Sequence, residues 1–210
     1  MRISQQAKQH NRQRILEAAR LLFADRGFEA TTTRDIAQAA GLAVGTLFNY
    51  FPTKEAVAMT MVNDALARGR EDYLRRRSGD EGLAEDLFLF LSSGLRRMRP
   101  LRPFIGPALE RSLSPFAGKT LCPEGEAAKE EHLTVVREII ARQGYSRVPA
   151  LVSLHLYWSL YLGILAFWSS DTSENLQQTL ALLDYALTIY AQTLAHTTTE
   201  KGTTDDAHTG

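Results

Sequence analysis

The sequence predicts an all-helical chain made of a small head and a larger body. Three observations carry this. Apolar residues recur at helical spacing, as Ile15, Leu16, Ala19, Leu22 and Phe23 do near the start. Gly27, Gly41, Pro52, Gly144 and Pro149 punctuate these runs. Charge is unevenly placed: residues 1–77 hold 13 Lys+Arg against 8 Asp+Glu, a balance of +5, and the remaining residues hold 11 against 16, a balance of −5.

The first helix carries the Ile15–Phe23 stripe. Gly27 stops it and Phe28 folds back on it. The next helix runs from Thr33 to Ala40. Thr32 caps it, Asp35 completes a capping box, and Ile36, Ala37 and Ala40 give it an apolar face. Gly41 supplies the positive φ that ends this helix. A short third helix follows from Val44 to Tyr50 and ends at Pro52. Leu47 and Phe51 share its inner face. Val44, Gly45, Thr46, Phe48, Asn49 and Tyr50 remain outside, almost without charge. Two short helices joined across a glycine turn form a helix-turn-helix, here residues 32–51. Its second helix is shaped to enter the major groove of double-stranded DNA and touch base edges and sugars.

The pattern RILEAARLLFADRGFEATTTRDIA, then AGLAVGTLFNYFPTKEAV, resembles the amino-terminal domain of the TetR family of bacterial transcriptional regulators. The resemblance covers residues 9–69 and implies a three-helix DNA-binding domain followed by a larger helical domain, residues 70–196, for effector binding and dimerisation. It aligns Thr33, Arg34, Thr46, Asn49, Tyr50 and Lys54 with DNA-contacting positions. Thr46, Tyr50 and Lys54 would position the protein on phosphate; Arg34, Val44, Gly45 and Asn49 are better placed for base edges. Lys8, Arg12 and Arg14 form a basic arm beside them. Two departures stand out. Ala43 replaces the serine usual before the recognition helix, a lost cap worth about 0.5–2 kcal/mol. Phe48 replaces the usual tyrosine and offers phosphate no hydroxyl.

Past the head, a helix runs from Lys54 to Arg77, and Ser78–Gly82 is a break. Leu83–Met98 is helical. Residues 100–126 hold five prolines and three glycines around a short helix near Phe104–Leu113, the natural place for an entrance or lid. Glu126–Gln143 is helical. The next helix, from Pro149 to Ser170, contains no charged residue between Ala150 and Trp168, long enough to cross a bilayer. Its two unlike faces favour burial instead: a small polar strip of His155, Ser159, Gly163, Ala166 and Ser170, and an aromatic strip of Tyr157, Tyr161 and Trp168. The last helix spans Glu174–His196. Leu176, Leu180, Leu183, Leu187, Tyr190 and Leu194 follow a heptad rhythm. With His155, Ser159 and Gly163 these mark a dimer interface, the arrangement the resemblance also implies; intrachain packing is the alternative. Residues 197–210 are polar and expected to be disordered.

Enzymatic signals are missing. Five histidines show no metal-ligand spacing, and no phosphate-binding glycine loop occurs, so no cofactor or metal is expected. Cys122, the single cysteine, reads as an inert loop thiol, with a redox sensor as the sharper alternative. Zero net charge argues against a generic nucleic-acid coat, whereas a basic head on an acidic body suits one-ended contact with DNA. No signal peptide opens the chain, so a cytoplasmic location without a membrane is expected. Phe88, Phe104, Phe116, His155, Tyr157, Trp158, Tyr161 and Trp168 are either core or the lining of an effector pocket, the second reading implied by the resemblance. The whole points to a homodimeric repressor on a near-palindromic operator, released by an apolar or aromatic effector; the resemblance implies that the effector acts by displacing the helix beginning at Lys54. The rivals are a DNA-binding dimer whose body senses no small molecule, and a membrane-anchored regulator.

Overall fold

The computed structural model describes residues 5–113, 122–145 and 148–200. Their secondary structure is helical throughout: α1 (Gln5–Ala30), α2 (Thr33–Ala39), α3 (Val44–Phe48), α4 (Lys54–Arg76), α5 (Leu83–Met98), α6 (Arg102–Leu113), α7 (Pro123–Arg142), α8 (Ala150–Ser170) and α9 (Gln177–Glu200). Short 3-10 turns, Arg99–Leu101 and Glu174–Leu176, precede α6 and α9. Gly27, at φ 81° and ψ 163°, breaks α1 where the sequence stops the helix. Phe28 then folds against Phe23, ring centroids 5.2 Å apart. The last helix runs to Glu200, past the boundary expected at 196, and residues 201–210 lie outside the described residues.

The chain divides into two compact units, with all three division points inside helices, α4, α5 and α7. Unit 1 holds the residues up to Ala67 together with Arg97–Lys129. Its core contains Ile15, Ala19, Phe23, Phe28, Ile36, Leu47 and Phe51, all buried. The expected border at residue 69 placed α6 in the second domain. α6 instead packs on α1 through Phe104, 5.5 Å from Phe23, and Arg111 pairs with Glu29 at 2.8 Å. Apolar area on α1 is what draws α6 there.

Unit 2 holds Arg68–Arg96 and everything from Glu130 onward. α4 and α5 approach closely enough that a Cβ on Gly69 would lie 2.8 Å from the Gly94 Cα, so that crossing requires glycine. Beside it Tyr73 donates to Asp86 at 2.6 Å, and Arg142 donates to both, at 2.8 and 3.1 Å. A buried carboxylate is thereby supplied with two donors. α8 and α9 pack on each other, with Tyr157, Tyr161, Ile164, Leu165 and Trp168 of α8 turned inward.

The heptad residues of α9 fill that same interior. Leu183, Leu187, Tyr190 and Leu194 are buried within their own chain, which corrects their assignment to a dimer seam; Leu176, in the turn before α9, is part-covered and Leu180 exposed. A helix beside a long apolar neighbour buries its most regular stripe there first. The large apolar residues left outside are Leu180, Leu182, Tyr185 and Ile189 of α9 and Leu151, Val152, Leu156 and Phe167 of α8, with Tyr185 69% and Leu151 70% exposed. His155, Ser159 and Gly163 are exposed among them. α8 is long and apolar enough to cross a membrane, yet one side of it forms the core of unit 2.

Candidate nucleic-acid interface

α2 begins as its sequence requires. Thr32 adopts extended φ/ψ of −105° and 160°, its hydroxyl accepts from the Asp35 backbone N–H at 3.2 Å, and the Asp35 carboxylate accepts from the Thr32 N–H at 2.9 Å. The Thr32 hydroxyl also donates to that carboxylate at 2.6 Å, and these bonds hold the Asp35 carboxyl below its usual range. Gly41 turns the chain at φ 64°, a conformation that favours glycine. The turn is also crowded: a Cβ on Gly41 would fall 2.7 Å from the Arg14 guanidinium. Arg14 therefore covers the turn, while Lys8 and Arg12 lie elsewhere on α1.

α3 starts at Ala43, which has cap geometry but no side-chain cap bond. Leu47 and Phe51 are buried beneath it. Gly45, Phe48 and Asn49 are exposed and Val44, Thr46 and Tyr50 half-buried, so the outer face is the one read from sequence. Phe48 is 48% exposed, an aromatic surface offered to solvent on a five-residue helix. On α2, Arg34 is exposed and Thr33 half-buried. A cleft of about 880 Å³ opens between α1 and α3, lined by Gln5, Lys8, Gln9, Arg12, Gln13, Thr46, Asn49 and Tyr50. Asn11 donates to the Tyr50 hydroxyl at 3.3 Å, which leaves that hydroxyl's own hydrogen for an outside acceptor. The glutamines were not singled out from sequence. Their spacing at 5, 9 and 13, one helical face shared with Lys8 and Arg12, is the signal that could have found them.

Lys54 departs from its expected role. Its ammonium donates to the carbonyls of Phe28, Glu29 and Thr31 at 2.8, 3.1 and 3.1 Å and sits 4.5 Å over the Phe28 ring. An ammonium has three hydrogens, and all three are used inside unit 1. Lys54 ties the start of α4 to the end of α1 instead of offering a free charge to phosphate.

The proposed pocket residues separate. Tyr157, Tyr161 and Trp168 are buried in unit 2, with Phe88 and Trp158 half-buried there. Phe104 belongs to the core of unit 1. His155 is exposed, its Nδ1 2.9 Å from the Leu151 carbonyl oxygen, and so leaves the pocket set for the outer face of α8. Phe116 lies outside the described residues. Sequence reading missed His132, which joins this cluster from α7: its Nε2 is 2.8 Å from the Tyr157 hydroxyl and its ring stacks 4.3 Å from Tyr161. Burial pushes its pKa down to about 3.

A capped α2, a glycine turn and an exposed α3 flanked by a cleft carrying two cations define a helix-turn-helix head. The family described as bacterial regulatory proteins, tetR family, matches residues 15–59. The transcriptional repressor KstR of Rhodococcus jostii is 35% identical over 192 residues, covering 86% of each chain. This chain belongs to the TetR family. The repressor KstR2 of Mycobacterium tuberculosis is 44% identical over 66 residues, 31% of this chain and 30% of that protein, so the chain matches less than a third of that relative's length. Among solved structures, the TetR-family repressor FadR of Thermus thermophilus, in complex with lauroyl-CoA, superposes with a TM-score of 0.66 at 27% identity, covering 85% of this chain and 92% of that one. These relatives are regulators and not enzymes.

Proposed function

We propose that the chain is a homodimeric, DNA-binding transcriptional repressor that leaves a near-palindromic operator when a small apolar or aromatic molecule binds in unit 2. The observation that carries the DNA reading is the exposed α3 face beside the Lys8–Arg12 cleft. Thr33, Arg34, Val44, Gly45, Phe48 and Asn49 face the groove in this reading. Thr46, Tyr50, Lys8 and Arg12 meet the flanking phosphates, and Lys54 acts by holding α4 to α1. The outer face of α8 and α9 supports the dimer, since Leu151, Val152, Tyr185 and Ile189 are large apolar groups left to solvent. A two-fold dimer in turn asks for a two-fold operator.

The effector reading is supported by the buried rings of unit 2 and by the lauroyl-CoA of the FadR complex. Binding there would shift α4, which begins in unit 1 and ends in unit 2, and so re-space the two heads. Only a ligand that prefers the DNA-incompetent state can do this. The close stacking of the rings favours a second reading, in which unit 2 is filled by its own side chains and senses nothing. Capture and sequencing of genomic fragments on the purified protein tests the first part. Recovery of a near-palindrome whose binding weakens by about 1–3 kcal/mol in Arg34→Ala or Asn49→Ala is the expected result. Recovery of fragments with no shared sequence refutes it.

A further inference from the structure

The ring cluster of unit 2 holds more hydrogen-bond donors than acceptors. His132, Tyr157 and Tyr161 are 6%, 1% and 4% exposed. Among the described residues the hydrogen bond between His132 Nε2 and the Tyr157 hydroxyl is the one these three side chains make. Burial holds the imidazole neutral and both phenols protonated, so the trio carries three polar hydrogens: one N–H and two O–H. The 2.8 Å bond uses one. If Tyr157 donates, the imidazole Nδ1–H is left over; if Nε2–H donates, the Tyr157 hydrogen is left over. The Tyr161 hydrogen is unused either way. Tyr190, the next ring, is already committed, its hydroxyl donating to the Ser153 carbonyl at 2.9 Å. The cluster therefore presents two donors for which no described residue supplies an acceptor, in a setting otherwise made of Phe90, Trp158 and Tyr190 rings.

We infer that His132, Tyr157 and Tyr161 form a recognition site for a neutral acceptor oxygen, the carbonyl of a ketone, ester or thioester on an otherwise apolar effector. The inference rests on the effector reading above and names the chemistry that the site selects. A hydrocarbon of the same shape would leave both donors unmatched. A carboxylate would bring an acceptor but also a charge, and none of the rings packed on the trio supplies a cation to balance it. Discrimination of this kind is strong because a bound hydrocarbon would shut water away from these donors and give them no acceptor in its place.

The test uses the full chain and three ligand skeletons, linear twelve-carbon, phenyl-substituted and fused-ring, each as ketone, carboxylate and hydrocarbon. Binding is read by calorimetry and by tryptophan fluorescence. For any skeleton that binds, the ketone is expected to bind about tenfold tighter than its hydrocarbon and its carboxylate. Tyr161→Phe and Tyr157→Phe should shrink that preference to about threefold or less while leaving hydrocarbon affinity in place. Melting of the unliganded variants separates a lost contact from a lost fold. Equal binding of ketone and hydrocarbon, or a preference that survives both variants, overturns the inference and leaves the effector reading standing. No binding by any skeleton overturns the effector reading and the inference with it.

Discussion

α3 and α9 are both amphipathic helices whose apolar stripe is covered inside their own unit, but they differ in what remains. On α3 the remainder is small and polar apart from Phe48, and the structure around it is closed by local bonds: the Thr32–Asp35 box, the Gly41 turn and the Lys54 ammonium. On α9 the remainder is apolar again, with Leu182, Tyr185 and Ile189 facing out opposite the buried Leu183, Leu187, Tyr190 and Leu194. A helix with one apolar stripe needs one partner; a helix with two needs two. α3 is thus finished within the chain and free to meet something polar, whereas α9 keeps a second apolar stripe in solvent, the one the proposed dimer would cover.

The sharpest way to break this contrast is to charge the two sides of α9 separately. Leu183→Glu with Leu187→Glu puts carboxylates into a core without partners, at a cost of at least about 4 kcal/mol, a large part of a domain's stability. Circular dichroism should show unit 2 unfolded at temperatures where the parent is native. Tyr185→Glu with Ile189→Glu alters the outer side and should leave the melt within a few degrees of the parent while light scattering reports a monomer. A dimeric Tyr185→Glu/Ile189→Glu protein would mean that the outer face has no such partner.

Acid should affect the two regions unequally. In unit 2 His132 is held neutral, its pKa pushed down to about 3 from an unfolded value near 6.5. Between those values the unfolded chain takes up a proton that the folded chain refuses, so stability falls as pH drops below about 6.5. The slope is about 1.4 kcal/mol per pH unit, or roughly 2 kcal/mol between pH 6.5 and 5. Denaturant melts of His132→Phe across that range should be flatter than the parent's by that amount. Equal slopes would show that the imidazole is reached by water.

How much of each region was legible follows from how local its determinants are. Thr32 and Asp35 act within three residues of each other and Gly41 at a single backbone torsion, and Leu47 and Phe51 fall on the inner face that their spacing implies. Ala43 was rightly read as a missing cap. The seam of α9 was legible as a stripe but not as belonging to α8, because a heptad rhythm records that a helix will cover the stripe and not which one. Phe104 was read into the body by sequence order, and contact with Phe23 places it in the head. His132 was invisible, since nothing in a lone histidine between Glu131 and Leu133 announces a phenol on another helix. Lys54 illustrates a different loss: a lysine at a helix start is equally suited to phosphate or to three carbonyls, and only the fold of α1 decides.

Lys54 gives the next test. Lys54→Ala removes three charge-assisted bonds to backbone carbonyls and a contact with the Phe28 ring, worth about 2–3 kcal/mol together at this half-buried position. Differential scanning calorimetry should register that loss. The salt dependence of DNA binding should keep the parent slope, because no phosphate contact has gone. A slope lowered by about one unit with an unchanged melt would return Lys54 to the phosphate.

The smallest effect expected is a gain. Ala43 already has the extended φ/ψ of a cap, −64° and 145°, and lacks only an acceptor. Ala43→Ser would place a hydroxyl where the Gly45 or Thr46 backbone N–H can donate to it, without moving the chain. Such caps contribute about 0.5–2 kcal/mol, and the low end applies to a helix as short as α3 that is exposed at its start. A rise of a few degrees in the melting of the head is the expected reading, followed by calorimetry. If α3 is instead limited by the packing of Leu47 and Phe51, the melt will not move. Stability of the recognition helix would then rest on its buried side, as it does for α9, and the contrast between the two helices would narrow to their outer faces alone.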